Sequence, residues 1–209
     1  MSKQRLEGFS DGVIAVAITI LALDLAVAGP GHGHLLSQLG HHWPAFVAYV
    51  ISFATIGIIW VNHHALVSNF VVVTRSLLFL NLILLLFVVA LPFATATMAE
   101  YLTSGGQDAH IAMALYGLVF EGMSLAFAAI FQWSLGEGRS LHSLPPELRP
   151  RARRTFIAGW LMYVVAIGVA FVNAYVSLAI IGLAAVYYIF ERTPAAPSNA
   201  ADGLADGDG

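Results

Sequence analysis

The run LLFLNLILLLFVVALPFATATM, residues 77–98, contains no charged residue and is long enough to cross a bilayer as one helix. A bilayer core needs roughly 20 mostly apolar residues per helix, because every backbone polar group must find its hydrogen-bond partner within the segment. This run therefore predicts a transmembrane helix and sets the fold class.

Five further apolar runs of similar length lie on either side of it, at residues 9–28, 43–61, 111–135, 156–172 and 174–190. The last two are separated only at Asn173, so they form either a tight helical hairpin or one long helix. Hydrophobic residues fill 59% of the 209 positions and charged residues only 10%, against about 25% charged in a soluble domain. The sequence predicts an all-α integral membrane protein with six transmembrane helices in one domain, residues 1–192.

Basic residues are confined to alternate loops. Lys and Arg near helix ends are retained in the cytoplasm, and six spans with an internal N-terminus place every basic residue inside: Lys3, Arg5, Arg75, Arg139, Arg149, Arg151, Arg153, Arg154 and Arg192. The segments predicted to lie outside, residues 29–42 and 99–110, contain no Lys or Arg. We therefore expect a multi-pass protein of the cell membrane with both termini in the cytoplasm.

The N-terminus also fits a second interpretation. Lys3 and Arg5, a short apolar core and the sequence Ala26-Val27-Ala28 resemble a secretory signal with an A-x-A cleavage site. Asp11 and Asp24 interrupt the two ends of that core, however, and a signal core needs neither. We expect the first span to be retained.

The composition of the rest of the chain argues against several function classes. The net charge of −3 comes from the tail, residues 193–209, whose composition predicts disorder. No Lys/Arg run with interleaved aromatic residues predicts nucleic-acid binding. The sequence contains no G-x-S-x-G, H-E-x-x-H or Walker-type motif, and no T-V-G-Y-G potassium filter. We expect neither catalysis nor a cofactor.

Histidines do not form a convincing metal site. His63 and His64 are adjacent, so on a helix they point about 100° apart, and no third ligand has useful spacing. The first outer loop contains four more, which we interpret as side chains of a solvated loop: His32, His34, His41 and His42.

Ionisable residues within membrane segments are costly and are functional candidates by default. Asp11, with Ser10, either caps the start of the first span or ties it to polar residues of spans two and three: Trp60, Asn62, His63, His64 and Asn81. Glu121 lies near the middle of span four beside Gly117, Gly122 and Ser124. It is either a protonated acid bonded to a neighbouring helix or a proton carrier.

The first span also presents a stripe of side chains at helical spacing. Val16, Ile20 and Leu23 lie at i, i+4 and i+7, with Thr19 beside them and Asp24 just beyond. Such a stripe is ordinarily packing. Around a symmetry axis it would instead form hydrophobic rings that gate a pore, with an acidic ring at the mouth attracting cations.

Three sequence features resemble those of the endosomal and lysosomal potassium channel family, in its prokaryotic single-repeat branch. The opening Arg5-Leu6-Glu7-Gly8-Phe9-Ser10-Asp11 is similar to that family's R-x-x-x-F-S-D signature. WVNHH at residues 60–64 ends the second span, and Asn81 is followed by a Leu-rich run to Leu91-Pro92-Phe93. The resemblance covers nearly the whole chain except the tail.

Membership would imply a homotetramer in which the first helix of each subunit lines a potassium-permeable pore. The resemblance places the constriction and selectivity residues at Val16, Thr19, Ile20 and Leu23, and places Arg5, Phe9, Ser10 and Asp11 in the motif that braces the helix. The family often has isoleucine at the first constriction, whereas this chain has the smaller Val16. The alternatives are a proton-coupled transporter using Asp11 and Glu121, and a non-conducting scaffold or intramembrane enzyme.

Overall fold

The computed structural model describes residues 2–25, 33–141 and 145–190, and these ranges are helical apart from short connections and one isolated bridge between Phe70 and Ser140. Arg192, His32, the possible cleavage segment 26–28 and the tail 193–209 lie outside the described residues. The helices are α1 (Lys3–Leu21), α2 (Leu35–His41), α3 (Trp43–Ser68), α4 (Arg75–Tyr101), α5 (Gly106–Ser134), α6 (Arg149–Ala170) and α7 (Ala174–Phe190).

Side-chain caps set several of these helix starts. Ser2 and Thr74 have extended backbones, and their hydroxyls accept hydrogen bonds from the backbone N–H groups of Arg5 and Leu77. Asn173 accepts from Tyr175 and Val176 in the same way. Each cap satisfies N–H groups that have no partner within the helix.

The last two apolar runs form a helical hairpin rather than one long helix. α6 ends at Ala170 and α7 begins at Ala174, and Ser177 Oγ donates across the hairpin to the Ala166 carbonyl at 2.7 Å. A Cβ at Gly159 would overlap the Tyr188 hydroxyl, so the Tyr188 side chain packs directly against the α6 backbone at this glycine. The boundary predicted at Asn173 is therefore confirmed.

Two sequence expectations differ from the structure. The first span was expected at residues 9–28, whereas α1 runs from Lys3 to Leu21 and continues into a 3-10 turn, Ala22–Asp24. The Ser2 cap explains the earlier start, which apolar character alone does not detect because the first turns contain charged residues. The predicted outer loop contains the short helix α2, with His34 and His42 at its ends.

Four described helices are long and apolar enough to cross a membrane, namely α3, α5, α6 and α4 with its 3-10 extension to Ser104. α7 is apolar but has only 17 residues, which is at the lower limit for a span. α1 contains Lys3, Arg5, Glu7 and Asp11 within its 19 residues. The chain is therefore a multi-pass helical membrane protein.

Contacts between helix ends define the two ends of the bundle. At one end Lys3 Nζ donates to the Ser68 carbonyl, and the Phe70–Ser140 bridge joins the α3–α4 and α5–α6 connections. At the other end Trp43 stacks on Tyr175 with ring centroids 6.3 Å apart. Every basic residue that the structure describes lies at the start of α1, α4 or α6 or in the α5–α6 connection, all of which are at the first end of the bundle: Lys3, Arg5, Arg75, Arg139, Arg149, Arg151, Arg153 and Arg154.

A buried polar cluster connects the middle of the bundle. Pro92 lies inside α4 and lacks a backbone N–H, and three residues later Thr95 donates to the Leu91 carbonyl at 2.7 Å. Ser52 of α3 bonds both the Thr95 hydroxyl at 2.8 Å and the Tyr116 hydroxyl at 2.9 Å. Hydroxyls from three helices thus satisfy one another in an otherwise apolar core.

Candidate functional site

A polar ladder joins α1 to α3. Lys3 Nζ donates to the Ser68 carbonyl at 2.6 Å, Glu7 pairs with His64 Nδ1 at 2.9 Å, and Trp60 Nε1 donates to Asp11 at 2.9 Å. Each rung advances four residues on α1 and retreats four on α3, which is the register of two antiparallel helices in face-to-face contact. The ladder fixes both the height and the rotation of α1.

A second polar group joins α1 to α4 and lies fully inside the subunit. Asn81 Nδ2 donates to Ser10 Oγ at 3.0 Å, and Asn81 Oδ1 accepts from His63 Nε2 at 2.7 Å. An amide oxygen can only accept, so Nε2 of His63 carries the proton in this contact. Ser10, His63 and Asn81 are each at most 1% exposed. The hub replaces solvent for Ser10 Oγ, the Asn81 amide and His63 Nε2, whereas His63 Nδ1 has no hydrogen-bond partner among the described residues.

Three residues expected to brace the helix lie elsewhere. Asn62 donates to the Ile58 carbonyl of its own helix and lines a small cavity together with Ser124 of α5. Arg5 and Phe9 are exposed, and they line a cavity together with Leu78, Asn81 and Leu82 of α4. None of these three side chains forms a described hydrogen bond in the ladder or the hub, although Arg5 and Phe9 lie beside the hub residue Asn81.

The opposite face of α1 is open. Leu6, Ile14, Ala17 and Leu21 are buried against the subunit, whereas the stripe predicted from sequence is exposed, at 58% for Val16, 41% for Ile20 and 74% for Leu23. Thr19 is also exposed, and its hydroxyl donates to the Val16 carbonyl at 2.8 Å. One subunit therefore leaves this stripe without a covering element among the residues that the structure describes.

The end of the stripe departs from α-helical geometry. Leu23 and Asp24 belong to the 3-10 turn that follows α1, where successive side chains are about 120° apart rather than 100°. The side chain of Asp24 lies outside the described part of the structure.

Glu121 is buried in α5 at 6% exposure, and neither carboxyl oxygen has a hydrogen-bond partner among the described residues. The expected bond to a neighbouring helix is absent. The flanking glycines do allow close packing: a Cβ on Gly122 would overlap the Phe87 ring, and one on Gly117 would lie 2.9 Å from Ile167.

Sequence reasoning missed Lys3 and Glu7 as members of the ladder. A signal for them exists, because Lys3, Glu7 and Asp11 repeat every four residues on α1, as Trp60, His64 and Ser68 do on α3. Two matching four-residue repeats on helices predicted to be antiparallel indicate paired faces.

Comparison with known proteins adds to this geometry. Residues 5–92 match the family described as endosomal/lysosomal potassium channel TMEM175. A Streptomyces collinus protein named as a potassium channel is 46% identical over 202 residues, covering 94% of this chain and 96% of the relative. The Gallus gallus endosomal/lysosomal proton channel TMEM175 is 33% identical over 162 residues, covering 73% of this chain and 31% of the relative.

A solved structure agrees in fold. The crystal structure of a lysosomal potassium-selective channel TMEM175 homolog from Chamaesiphon minutus has a TM-score of 0.78 and 30% identity, covering 90% of this chain and 96% of that chain. Fold and site thus define a multi-pass helical membrane protein of a channel class. The chain belongs to the TMEM175 family of potassium channels.

Proposed function

We propose that this protein is a potassium-permeable channel of the cell membrane, assembled from four identical subunits around the open face of α1. The observation that carries the proposal is the division of α1 into two faces. One face is held to α3 and α4 by the ladder and the hub, and the other exposes Val16, Thr19, Ile20 and Leu23. The relatives named as potassium channels support potassium as the permeant ion.

The face of α1 that is held to α3 and α4 explains how a narrow apolar constriction would keep its width. A helix that lines a pore has no partner on the pore side, so its rotation must be set from behind. The Trp60–Asp11 bond and the Asn81–Ser10 bond come from two different helices, so α1 is held from two sides. Four such helices would place Val16, Ile20 and Leu23 in successive apolar rings, which gate by dewetting.

Thr19 supplies the polar oxygen of this face. Its hydroxyl proton is directed to the Val16 carbonyl, so the lone pairs of the oxygen are left for the open side. A ring of four such oxygens would interact with a partly dehydrated cation between the Val16 and Ile20 rings. Asp24, at the end of the same segment, would raise the local cation concentration at the mouth.

Two glycines on α1 fit an assembly of several subunits. A Cβ on Gly8 or Gly12 would meet nothing within 4 Å inside the subunit. Glycine in a helix interior is less favourable than alanine by about 1 kcal/mol, and nothing within the subunit requires it at these two positions. Close approach of another copy of α1 would account for both.

The membrane topology completes the proposal. α1 and α7 would act as the first and sixth spans, with both termini in the cytoplasm. α1 would lie in the assembly interior, where the ladder gives Lys3, Glu7 and Asp11 polar partners and lipid does not contact them. The end that contains the described basic residues would face the cytoplasm.

Bi-ionic recording of the purified protein in liposomes tests the proposal. We expect current that favours potassium over sodium, and Ile20→Ala and Leu23→Ala are expected to raise conductance or relax that preference. Leu183→Ala, which truncates an exposed leucine on α7, is the matched control and is expected to behave as wild type. A well-folded protein without current under any applied voltage would contradict channel function. Normal current unaffected by Ile20→Ala and Leu23→Ala would contradict the pore assignment alone.

A further inference from the structure

A groove of about 830 Å³ lies between the C-terminal half of α5 and the N-terminal half of α6. No residue of α1 lines it. Its apolar walls include Leu125 and Ala128 of α5 and Ile157 and Trp160 of α6. Its basic end is lined by Arg139, Arg149 and Arg153. The volume is within the range of about 300–1,000 Å³ that is typical of small-ligand sites.

The guanidinium of Arg139 is held in place by neutral partners. Its Nη1 donates to the Trp133 carbonyl at 2.8 Å, and its Cζ lies 5.0 Å from the centroid of the Trp133 ring. The Arg139 carbonyl accepts from Val71 at 2.9 Å through the Phe70–Ser140 bridge. This side chain is therefore preorganised, and its charge is not cancelled by a carboxylate in these contacts.

The other two arginines lie on one face of α6 at its positive end. Arg149 and Arg153 are four residues apart in the first turns of α6, and Glu147 lies in the 3-10 turn directly before them. The N-terminus of a helix carries a partial positive charge, which adds to that of the two arginines. Among the described residues Arg153 has no acidic partner within salt-bridge distance. The groove thus combines three guanidinium groups with the positive end of a helix.

The apolar wall distinguishes this site from one for a soluble anion. Leu125, Ile157 and Trp160 are 42–49% exposed, and Ile157 and Trp160 lie about two and three turns along α6 from Arg149. At 1.5 Å per residue, Arg149 to Trp160 spans about 16 Å, roughly one leaflet of the hydrocarbon core. A ligand that matches both the basic end and the apolar wall of the groove has an anionic group at one end and an acyl chain running along the helices.

We propose that this groove binds one anionic phospholipid, with its phosphate between Arg139, Arg149 and Arg153 and an acyl chain against Ile157 and Trp160. Basic pockets between transmembrane helices are a recurring mode of anionic lipid recognition. Binding itself does not depend on ion conduction. Placing the groove in the cytoplasmic leaflet rests on the orientation given under the proposed function.

Native mass spectrometry of the purified full-length protein, titrated with phosphatidylglycerol and with phosphatidylcholine, tests the site. Near a membrane surface each arginine contributes about fivefold to the affinity for an anionic lipid. Arg149→Gln/Arg153→Gln is therefore expected to weaken phosphatidylglycerol binding by at least about tenfold and to leave phosphatidylcholine binding unchanged. The matched control is Arg151→Gln/Arg154→Gln, which removes the same charge from exposed positions of α6 outside the groove. It is expected to keep the preference for phosphatidylglycerol.

A variant that changes no charge tests whether the shape of the groove contributes to lipid binding. Ala128→Phe fills the apolar wall without altering any charge, and it is expected to weaken phosphatidylglycerol binding severalfold. It also tests the groove independently should the double arginine variant fail to fold, which size-exclusion chromatography detects beforehand. Equal loss of binding in the two double arginine variants would overturn the site in favour of diffuse attraction. Full displacement of the lipid by equimolar glycerol 3-phosphate would overturn the phospholipid in favour of a soluble phosphate.

Discussion

Trp60 donates from its indole nitrogen to the carboxylate of Asp11 at 2.9 Å, and this bond joins the predicted pore helix to the second span. The neighbouring rung, Glu7 to His64, is one helical turn further along both helices. Asp11 is therefore neither a free carrier nor only a helix cap in this structure. Its carboxylate holds the rotation of α1 from the side opposite the open face.

A double-mutant cycle measures this contact. Asp11→Ala and Trp60→Phe each remove one partner, and we expect a coupling free energy of about 1 kcal/mol between them because the bond is charge-assisted but partly exposed. Thermal unfolding in detergent and potassium current should both reveal it. Asp11→Asn keeps an acceptor oxygen and should lose less than Asp11→Ala. Strictly additive single effects would argue that the bond is unimportant.

Asn81 and Asn62 provide a matched comparison. Asn81→Leu would leave His63 and Ser10 buried without their shared partner, at about 2 kcal/mol. That loss corresponds to a decrease of about 4–8 °C in the midpoint of thermal unfolding. Asn62→Leu removes only a bond to the Asn62 helix itself, and its effect should stay below about 0.5 kcal/mol. Equal destabilisation by the two variants would contradict the distinct roles of the two asparagines.

The sequence was sufficient for the coarse fold, and particular residues explain why. A continuous apolar run such as residues 77–98 can only be a span or a deeply buried helix, and the Asn173 cap separates α6 from α7. The grouping of Asp11 with Trp60 and of Asn81 with His63 was also accessible, because these polar residues lie at corresponding ends of neighbouring spans.

The rest depended on helix rotation, which an apolar run does not specify. Asn62 and His63 are adjacent in sequence, yet only His63 reaches Asn81, because adjacent side chains on a helix diverge by about 100°. The first turns of α1 contain charged residues, so hydropathy predicts a helix start several residues too late. Ser2 and the ladder partners stabilise these turns. The backbone of Arg139, which lines the groove beside α6, is bonded to Val71 next to the Phe70–Ser140 bridge, a long-range contact without a local sequence pattern.

Glu121 distinguishes a channel from a proton-coupled transporter. Its carboxyl has no hydrogen-bond partner among the described residues, and a buried polar group without a partner costs stability. Glu121→Gln keeps the volume and removes ionisation, so we expect unchanged potassium current and equal or higher thermal stability. Loss of ion transport without loss of folded protein would favour a carrier role for Glu121 instead. Glu121→Leu tests whether any polar group is needed there.

Val16 is expected to set the width of the first constriction. Val16→Ile adds one methylene to each of four side chains at an exposed position, so the pore should narrow without strain inside the subunit. We expect lower conductance and a stronger preference for potassium over sodium in bi-ionic recording. Val50→Ile, at an exposed position of α3, is the matched control and should leave both quantities unchanged. A Val16→Ile channel with wild-type conductance and selectivity would place the constriction elsewhere.

Gly12 tests whether another subunit faces α1. Inside one subunit a side chain at this position meets open space, and replacing glycine in a helix interior favours the helix by up to about 1 kcal/mol. Gly12→Leu should therefore leave the isolated subunit folded, while it crowds or blocks the central axis of a tetramer. We expect potassium current to fall severalfold, with or without loss of the tetramer in light scattering, and unchanged helicity by circular dichroism. Gly57→Leu, on α3 at a glycine that also has open space around it, serves as the control. Wild-type current and assembly in Gly12→Leu would mean that this face of α1 contacts lipid rather than other subunits.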